Sequence, residues 1–226
     1  MKIGVLGTGF VGQTIAAKLS ELGHGVFVGT RDPAATLAKS EPDMYGNPPF
    51  KAWRNKHPTV EFGTFPQAAV YGELVVNATQ GAGSLDALKA AGEKNLAGKV
   101  LVDISNPLDF SKGMPPSLTV CNTDSLGEQI QRGFPQTKVV KTLNTMNAFL
   151  MVGPRQLADG AHTIFVSGND AGAKQTVTKL LESFGWRDIF DLGDITTARG
   201  TEMILPIWVR AYGALKSPMF SFKLVR

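Results

Sequence analysis

Three glycines within the first dozen residues constrain this chain more than anything that follows them. Residues 3–6 are a short apolar run, and Gly7, Gly9 and Gly12 then spell G-x-G-x-x-G. An amphipathic stretch occupies 13–22, and a second apolar run, 26–28, follows the break at Gly23, His24 and Gly25. Strand, glycine turn, helix and strand in that order is the setting in which the motif carries meaning. Gly7 permits a tight turn, Gly9 lets backbone N–H groups approach a pyrophosphate, and Gly12 lets helix and strand pack closely. The N-terminus of the helix adds a partial positive charge facing the phosphates.

The end of the second strand selects between dinucleotides. A unit that binds NAD carries Asp or Glu there, about 20 residues on, to hydrogen-bond the ribose 2′-hydroxyl. This chain reads Val28, Gly29, Thr30, Arg31, Asp32. Thr30 and Arg31 stand in the place of the acid. A hydroxyl and a guanidinium suit a 2′-phosphate, because arginine offers a planar fork of donors to phosphate oxygens. The expected cofactor is therefore NADP(H), not NAD. Asp32 lies one step later and reads as the cap of the next helix, with Pro33 at its first position.

The remaining chain alternates strands with helices. Apolar runs at 60–62, 73–78, 99–104, 138–142, 163–167 and 188–191 read as strands. Helices are expected over 33–40, 64–70 with Thr64 as cap, 84–93, from a cap at Asp124 to Arg132, 171–184 with Asp170 as cap, and 195–215 with a kink at Pro206. The segment 41–58 reads as an irregular excursion with a turn or two of helix around 50–55. Its aromatics, Tyr45, Phe50 and Trp53, are expected to cap the sheet edge. Residues 110–116 read as a loop, and the tail 220–226 as an edge strand or a segment packed back on the core. The expected fold is α/β: a doubly wound, mainly parallel sheet, forming one Rossmann-like NADP-binding domain over 1–226 with 154–226 as a small α/β extension.

Composition narrows the partners. The net charge of +4 is modest, and no cluster of Lys and Arg interleaves with aromatics, so nucleic acid is not expected. The one cysteine, Cys121, excludes an internal disulfide. No apolar run approaches the length of a membrane span, and the first strand begins at once, so neither a membrane segment nor a signal peptide is expected and the chain reads as cytoplasmic.

Ligands of such sheets bind outside the carboxyl ends of the strands, where strand order reverses. Four segments should meet there: 7–12, 78–83, 105–108 and 144–148. Their polar side chains, Thr79, Gln80, Ser105, Asn106, Asn144, Thr145 and Asn147, are neutral donors and acceptors. No Ser-His-Asp or Cys-His arrangement is evident, so no catalytic residue is assigned. His24, His57 and His162 are dispersed and read as structural or exposed, and no metal site is expected. Lys141, inside a strand, reads as one half of a structural salt bridge. Oxidation of an alcohol needs a base for the hydroxyl proton. Hydride exchange between two rings needs chiefly proximity, orientation and exclusion of water, which suits a neutral pocket better.

The glycine turn Gly7 to Gly12, the segment 28–31, and the stretches 139–146, 167–170 and 191–199 together resemble the NADP-dependent oxidoreductases that use the deazaflavin coenzyme F420. The resemblance extends to the cytosolic reductase domain of six-transmembrane metalloreductases, which uses flavin. It implies that Gly7, Thr8, Gly9, Phe10 and Val11 hold the pyrophosphate and that Thr30 and Arg31 hold the 2′-phosphate. It implies further that Ala78, Thr79, Gln80, Asn106, Pro107, Thr145, Met146 and Asn147 frame the nicotinamide and the face open to a second ring, coenzyme F420 or a flavin. The partner is then a small-molecule redox substrate, with a homodimer left open. The alternatives are an NADPH-dependent reductase of a small carbonyl or metal chelate, and a non-catalytic NADPH-binding redox sensor. Arg199 and Glu202, about one helical turn apart, are expected to pair with each other. Replacing Arg31 with alanine should weaken NADP(H) binding by about 1.5–3 kcal/mol, the worth of a charge-assisted contact, and leave NAD(H) binding nearly unchanged. Calorimetry with both dinucleotides checks this, and equal losses would remove the 2′-phosphate assignment.

Overall fold

Continuous apolar runs are what parallel strands covered on both faces require, and in this protein they form the middle of one sheet. The computed structural model describes residues 1–43 and 46–226, so Tyr45 lies outside the described residues. The strands are β1 (Lys2–Leu6), β2 (Gly25–Thr30), β3 (Glu61–Thr64), β4 (Leu74–Asn77), β5 (Val100–Asp103), β6 (Leu108–Asp109), β7 (Ser117–Leu118), β8 (Lys138–Lys141), β9 (Thr163–Gly168) and β10 (Asp188–Gly193). The eight-stranded sheet runs in the order β10-β9-β8-β5-β4-β1-β2-β3, while β6 and β7 pair with each other. From β3 to β8 every pairing is parallel, and β9 then lies antiparallel to β8 and parallel to β10. Strand order reverses between β1 and β4, so their carboxyl ends open the crevice in which such sheets bind ligands.

Side-chain alternation sorts the core onto the two faces. Ile3, Val5, Val76, Val102 and Val140 pack on one face with Ile15 and Leu19 of the helix Phe10–Glu21 and Val177 of the helix Ala171–Phe184. Leu6, Val75, Leu101 and Val139 pack on the other with Ala68, Leu88 and Ile130, which belong to the helices Phe65–Tyr71, Ser84–Ala91 and Leu126–Gly133. The doubly wound, mainly parallel fold read from the sequence is the fold observed.

Local chemistry explains most boundaries. Asp32 caps the helix Pro33–Ala38 by accepting from the Ala35 N–H at 2.9 Å. Thr64 and Gln67 form a reciprocal capping box at the start of Phe65–Tyr71. Asp170 accepts from Ala173 N–H at 2.7 Å. The 41–58 excursion holds a helix, Phe50–Lys56, and Phe50 packs on Phe62 with ring centres 4.7 Å apart. That contact is the edge-capping role, borne out for Phe50.

Several expectations are corrected. The helix read over 84–93 stops at Gly92, whose φ of +93° belongs to no right-handed helix, and a short second helix, Glu93–Leu96, follows. Residues 110–116 are the loop read from the sequence, which did not show that it joins two strands, β6 and β7, too short to give a period. The helix Leu126–Gly133 is capped by Ser125, which accepts from Glu128 N–H at 3.1 Å, and not by Asp124. Asp124 instead takes a two-pronged contact from Arg132 at 2.8 and 2.9 Å. The helix read over 195–215 is three pieces, Ile195–Thr197, Ala198–Met203 and Leu205–Leu215. Pro206 lies in the first turn of the last piece and has no N–H to continue the ladder.

The tail forms no strand. It packs beside the start of β9, where Thr163 N–H donates to Phe222 O at 2.9 Å and Leu224 N–H donates to Thr163 Oγ1 at 3.0 Å. Lys223 and Arg226 close on Asp188 at 2.8 and 2.7 Å. Lys223 first, then Thr163 and Arg226, hold the Asp188 carboxyl well below the usual carboxylate range. A depressed carboxylate contributes stability that is present above its unfolded pKa and lost as pH falls through the folded one. Asp188→Asn should therefore cost about 1 kcal/mol near neutrality, because both cations are half-exposed and screened. Urea melts as a function of pH should show the gap between wild type and variant closing below about pH 4.

Candidate functional site

The glycine turn is built by crowding on one side and openness on the other. Gly7 has φ of +120°, its N–H donates to Gly29 O at 2.9 Å, and a Cβ on it would stand 2.6 Å from Ala78 O. A Cβ on Gly12 would strike Gly7 O. Gly9 differs. Its φ of −72° suits any residue, and a Cβ on it would meet nothing within 4 Å. Gly9 is therefore not needed for the fold. It faces a cleft of about 1090 Å³, and it opens the helix Phe10–Glu21, whose N-terminus has no side-chain cap. Amide N–H groups with no side chain in front of them form the cradle a pyrophosphate needs.

Of the residues read as cofactor-binding, Gly7, Thr8, Gly9, Phe10, Thr30, Arg31, Ala78, Thr79 and Gln80 line this cleft. Val11, Asn106, Pro107, Thr145, Met146 and Asn147 do not. Thr30 is buried and shares a hydrogen bond with Thr36 at 3.0 Å, while Arg31 is exposed at the rim. Lys39 and Ser40 line the same cleft and were missed by the sequence reading. The helix Pro33–Ala38 that Asp32 opens runs along the same cleft, with Arg31 before it and Lys39 just after it. Pro42, Pro48, Pro49 and Phe50 also line the cleft, so the excursion both caps the sheet edge and walls the site.

At the other end, the loops after β4, β5 and β8 meet over a buried polar row. Asp103 Oδ1 accepts from Asn77 Nδ2 at 2.9 Å and from Ser105 Oγ at 2.6 Å, and Asp103 Oδ2 takes Lys141 Nζ at 2.8 Å. Lys141 also contacts Glu202 at 2.9 Å and donates to Ser105 O, and it is fully buried. Desolvation opposes its charge, but the carboxylates of Asp103 and Glu202 outweigh it and hold the ammonium above the ordinary lysine value. The salt bridge read for Lys141 is present. The pairing of Arg199 with Glu202 is not: Arg199 grips Glu128 at 2.5 and 2.8 Å, and Glu202 accepts from the N–H groups of Leu126 and Gly127 at 2.8 and 3.0 Å. Sequence spacing could not show this, because both partners come from another helix.

Asn106 and Asn144 exchange hydrogen bonds at 3.1 Å. Thr145 and Met146 are buried at 3% and 5% exposure. Asn147 caps the helix Ala148–Val152 through Phe149 and Leu150 N–H, and its amide donates to Pro218 O. His162 is buried against Trp186 with Nε2 3.0 Å from Pro154 O, and His57 stacks on Trp53. Among the described residues no group of three or more His, Cys, Asp and Glu could hold a metal ion, and no helix is long and apolar enough to cross a membrane.

Comparison with known proteins places these features in context. Residues 2–107 match the family described as NADP oxidoreductase, coenzyme F420-dependent. The chain is 62% identical to a crystal structure of a candidate F420-dependent NADP-reductase from Arthrobacter sp. FB24, with a TM-score of 0.96 over 100% of both chains. It is 29% identical over 212 residues to metalloreductase STEAP3 of Rattus norvegicus, covering 92% of this chain but 38% of that protein. The chain thus spans less than half the length of that curated relative. A reductive aminase from Aspergillus terreus in complex with NADPH shares the fold at 16% identity, with a TM-score of 0.61 over 95% of this chain and 62% of that one.

Gly9→Val should fold as wild type and fail to bind NADPH, because its side chain enters the cradle from a Cβ that meets nothing within 4 Å. In thermal melts, wild type should gain about 2.7 kcal/mol at a ligand concentration 100-fold above Kd and the variant should gain nothing. A comparable gain in the variant would place the pyrophosphate elsewhere.

Proposed function

We propose, because this chain belongs to the coenzyme F420-dependent NADP oxidoreductase family, that it transfers a hydride between NADP(H) and a planar ring acceptor of the deazaflavin or flavin class. The observation that carries this reading is the chemistry of the loop ends. They present hydroxyls and amides, and the ammonium nearest to them, Lys141, is enclosed at 0% side-chain exposure between two carboxylates. A lysine so enclosed has no path to hand a proton to a substrate. Chemistry that needs no side-chain proton at the reacting atoms is the chemistry such a site supports, and direct hydride transfer between stacked rings is of that kind.

In this reading residues 1–226 work as one NADP-binding unit, with 154–226 as an extension of it. The N–H groups of the turn from Gly7 through Thr8, Gly9, Phe10 and Val11 hold the pyrophosphate, with the helix N-terminus behind them. Thr30 and Arg31, joined by Lys39, hold the 2′-phosphate. Ala78, Thr79, Gln80, Asn106, Pro107, Thr145, Met146 and Asn147 shape the nicotinamide end, some by contact and others from beneath the surface. NADPH, when bound, supplies the hydride from its nicotinamide ring. The likeness to a metalloreductase supports a second acceptor class, a ferric chelate.

NADPH oxidation measured against a deazaflavin, flavin mononucleotide and a ferric chelate separates these readings. The deazaflavin or the flavin should turn over fastest. Asn147→Ala should lower the rate and leave the shape of the pH profile unchanged, since an amide does not titrate. A bell-shaped profile that loses one limb when His162 or Lys141 is replaced would reveal a general acid or base and favour a carbonyl reductase.

A further inference from the structure

The last residues of β4, β5 and β8 stand side by side. Asn77 is in register with Asp103, and Asp103 with Lys141. Each shares its parity with a core residue of the same face, Val75, Leu101 and Val139 respectively, and all three are buried at 0–1% exposure. An apolar face thus ends in a polar row directly beneath the loops 78–83, 104–107 and 142–147.

The hydrogen bonds of this row go to the start of the first two loops, and to Ser84 and Glu202 beyond them. Asn77 Oδ1 accepts from Thr79 Oγ1 at 2.7 Å, and Asn77 Nδ2 donates to Ser84 Oγ at 2.6 Å. Asp103 Oδ1 takes the hydroxyl of Ser105 and, at 3.2 Å, its N–H. Lys141 reaches the carbonyl of Ser105 and, on its far side, Glu202. Glu202 is held in turn by the first N–H groups of the helix Leu126–Gly133, whose dipole offsets the excess negative charge of two carboxylates on one ammonium. The loops are also tied to one another above the row. A Cβ on Gly81 would strike Asn106 O, and Asn106 and Asn144 are bonded reciprocally.

We infer that Asp103, Lys141 and Glu202 are positioning residues for hydride transfer: they set the relative height and orientation of the three loops that frame the nicotinamide. The inference rests on the functional reading above. Stability alone does not account for the triad. Desolvating three charges is costly, and well-packed apolar residues of the same volume are often as stable or more so. What apolar side chains cannot do is fix the Ser105 backbone and the ends of three strands against one another by directional bonds. Ring-to-ring transfer depends on that order of accuracy, since a displacement of about 1 Å from a distant change can lower a rate about 100-fold. Glu202 also explains why the C-terminal extension matters to a site built by the first half of the chain. It carries the third member of the triad from Ala198–Met203 to the sheet.

The test uses Lys141→Met and the neutral triple variant Asp103→Asn, Lys141→Met, Glu202→Gln in the full chain. The single variant leaves buried carboxylates unpaired and serves as the stability control. The triple variant leaves no buried charge in the row and is expected to melt above the single variant but below wild type, because a glutamine amide at 202 faces one of the two N–H groups that the carboxylate accepts from. Three quantities are measured on it: NADPH affinity by calorimetry, the emission of bound NADPH, and the single-turnover rate of NADPH oxidation by a deazaflavin. A positioning role predicts affinity close to wild type, because the turn and the 2′-phosphate end are untouched. It also predicts emission altered toward that of a mobile nicotinamide and a rate lowered about 100-fold. A folded triple variant with wild-type emission and wild-type rate would overturn the inference and leave the triad a structural ion cluster. The emission measurement needs no acceptor, so it decides the positioning role even where deazaflavin proves to be the wrong oxidant.

Discussion

The structure depends on the closeness of three backbone segments at the carboxyl end of β1. Two of the motif's glycines lack room for any side chain: Gly7 abuts Ala78 at the end of β4, and Gly12 abuts Gly7 itself. That contact brings the helix Phe10–Glu21 and the loop after β4 to opposite sides of the turn. It thereby creates the crevice that Gly9 faces. The three glycines look alike in the motif, but two are demanded by packing and Gly9 is not.

The cleft and the loops beyond it are held by different physics. The cleft beside the glycine turn is open and lined by backbone, with the Arg31 guanidinium and the Lys39 ammonium exposed, where long-range attraction works through solvent. The loops after β5 and β8 are closed, with charges removed from water and satisfied by one another. Buried networks of this kind are stiff because breaking any member strands the rest.

The chain beyond β8 completes this arrangement. β9 reverses direction against β8, so the start of β9 is left with an open edge, which the tail occupies through Phe222 and Leu224. The segment Ala198–Met203 returns Glu202 to the row beneath the loops. Arg199 of the same segment grips Glu128 in the helix whose N-terminus Glu202 caps. These ties join the last quarter of the chain to the sheet by charge as much as by apolar contact.

What the sequence determined by itself was local. Glycine spacing, the apolar runs, Asp32 with Pro33, the Thr64 box and Asp170 each encode an element through neighbours a few residues away, and each element stands where those residues require. The doubly wound order followed, because alternating strands and helices have few ways to bury both faces. The replacement of an acid by Thr30 and Arg31 was likewise legible, being a single position at a strand end. Tertiary structure alone decided the rest. Ser125 and not Asp124 caps its helix because Arg132 claims Asp124; Arg199 finds Glu128 and Glu202 finds Lys141 because elements far apart in the chain converge. Lys39 lines the same cleft as Arg31 only through the placement of the helix between them, and the Pro-rich excursion becomes a wall only when β3 anchors it. A salt bridge or a cleft wall is a statement about distance in space. Sequence spacing measures that distance within a helix or a strand, and it carries no measure of it between them.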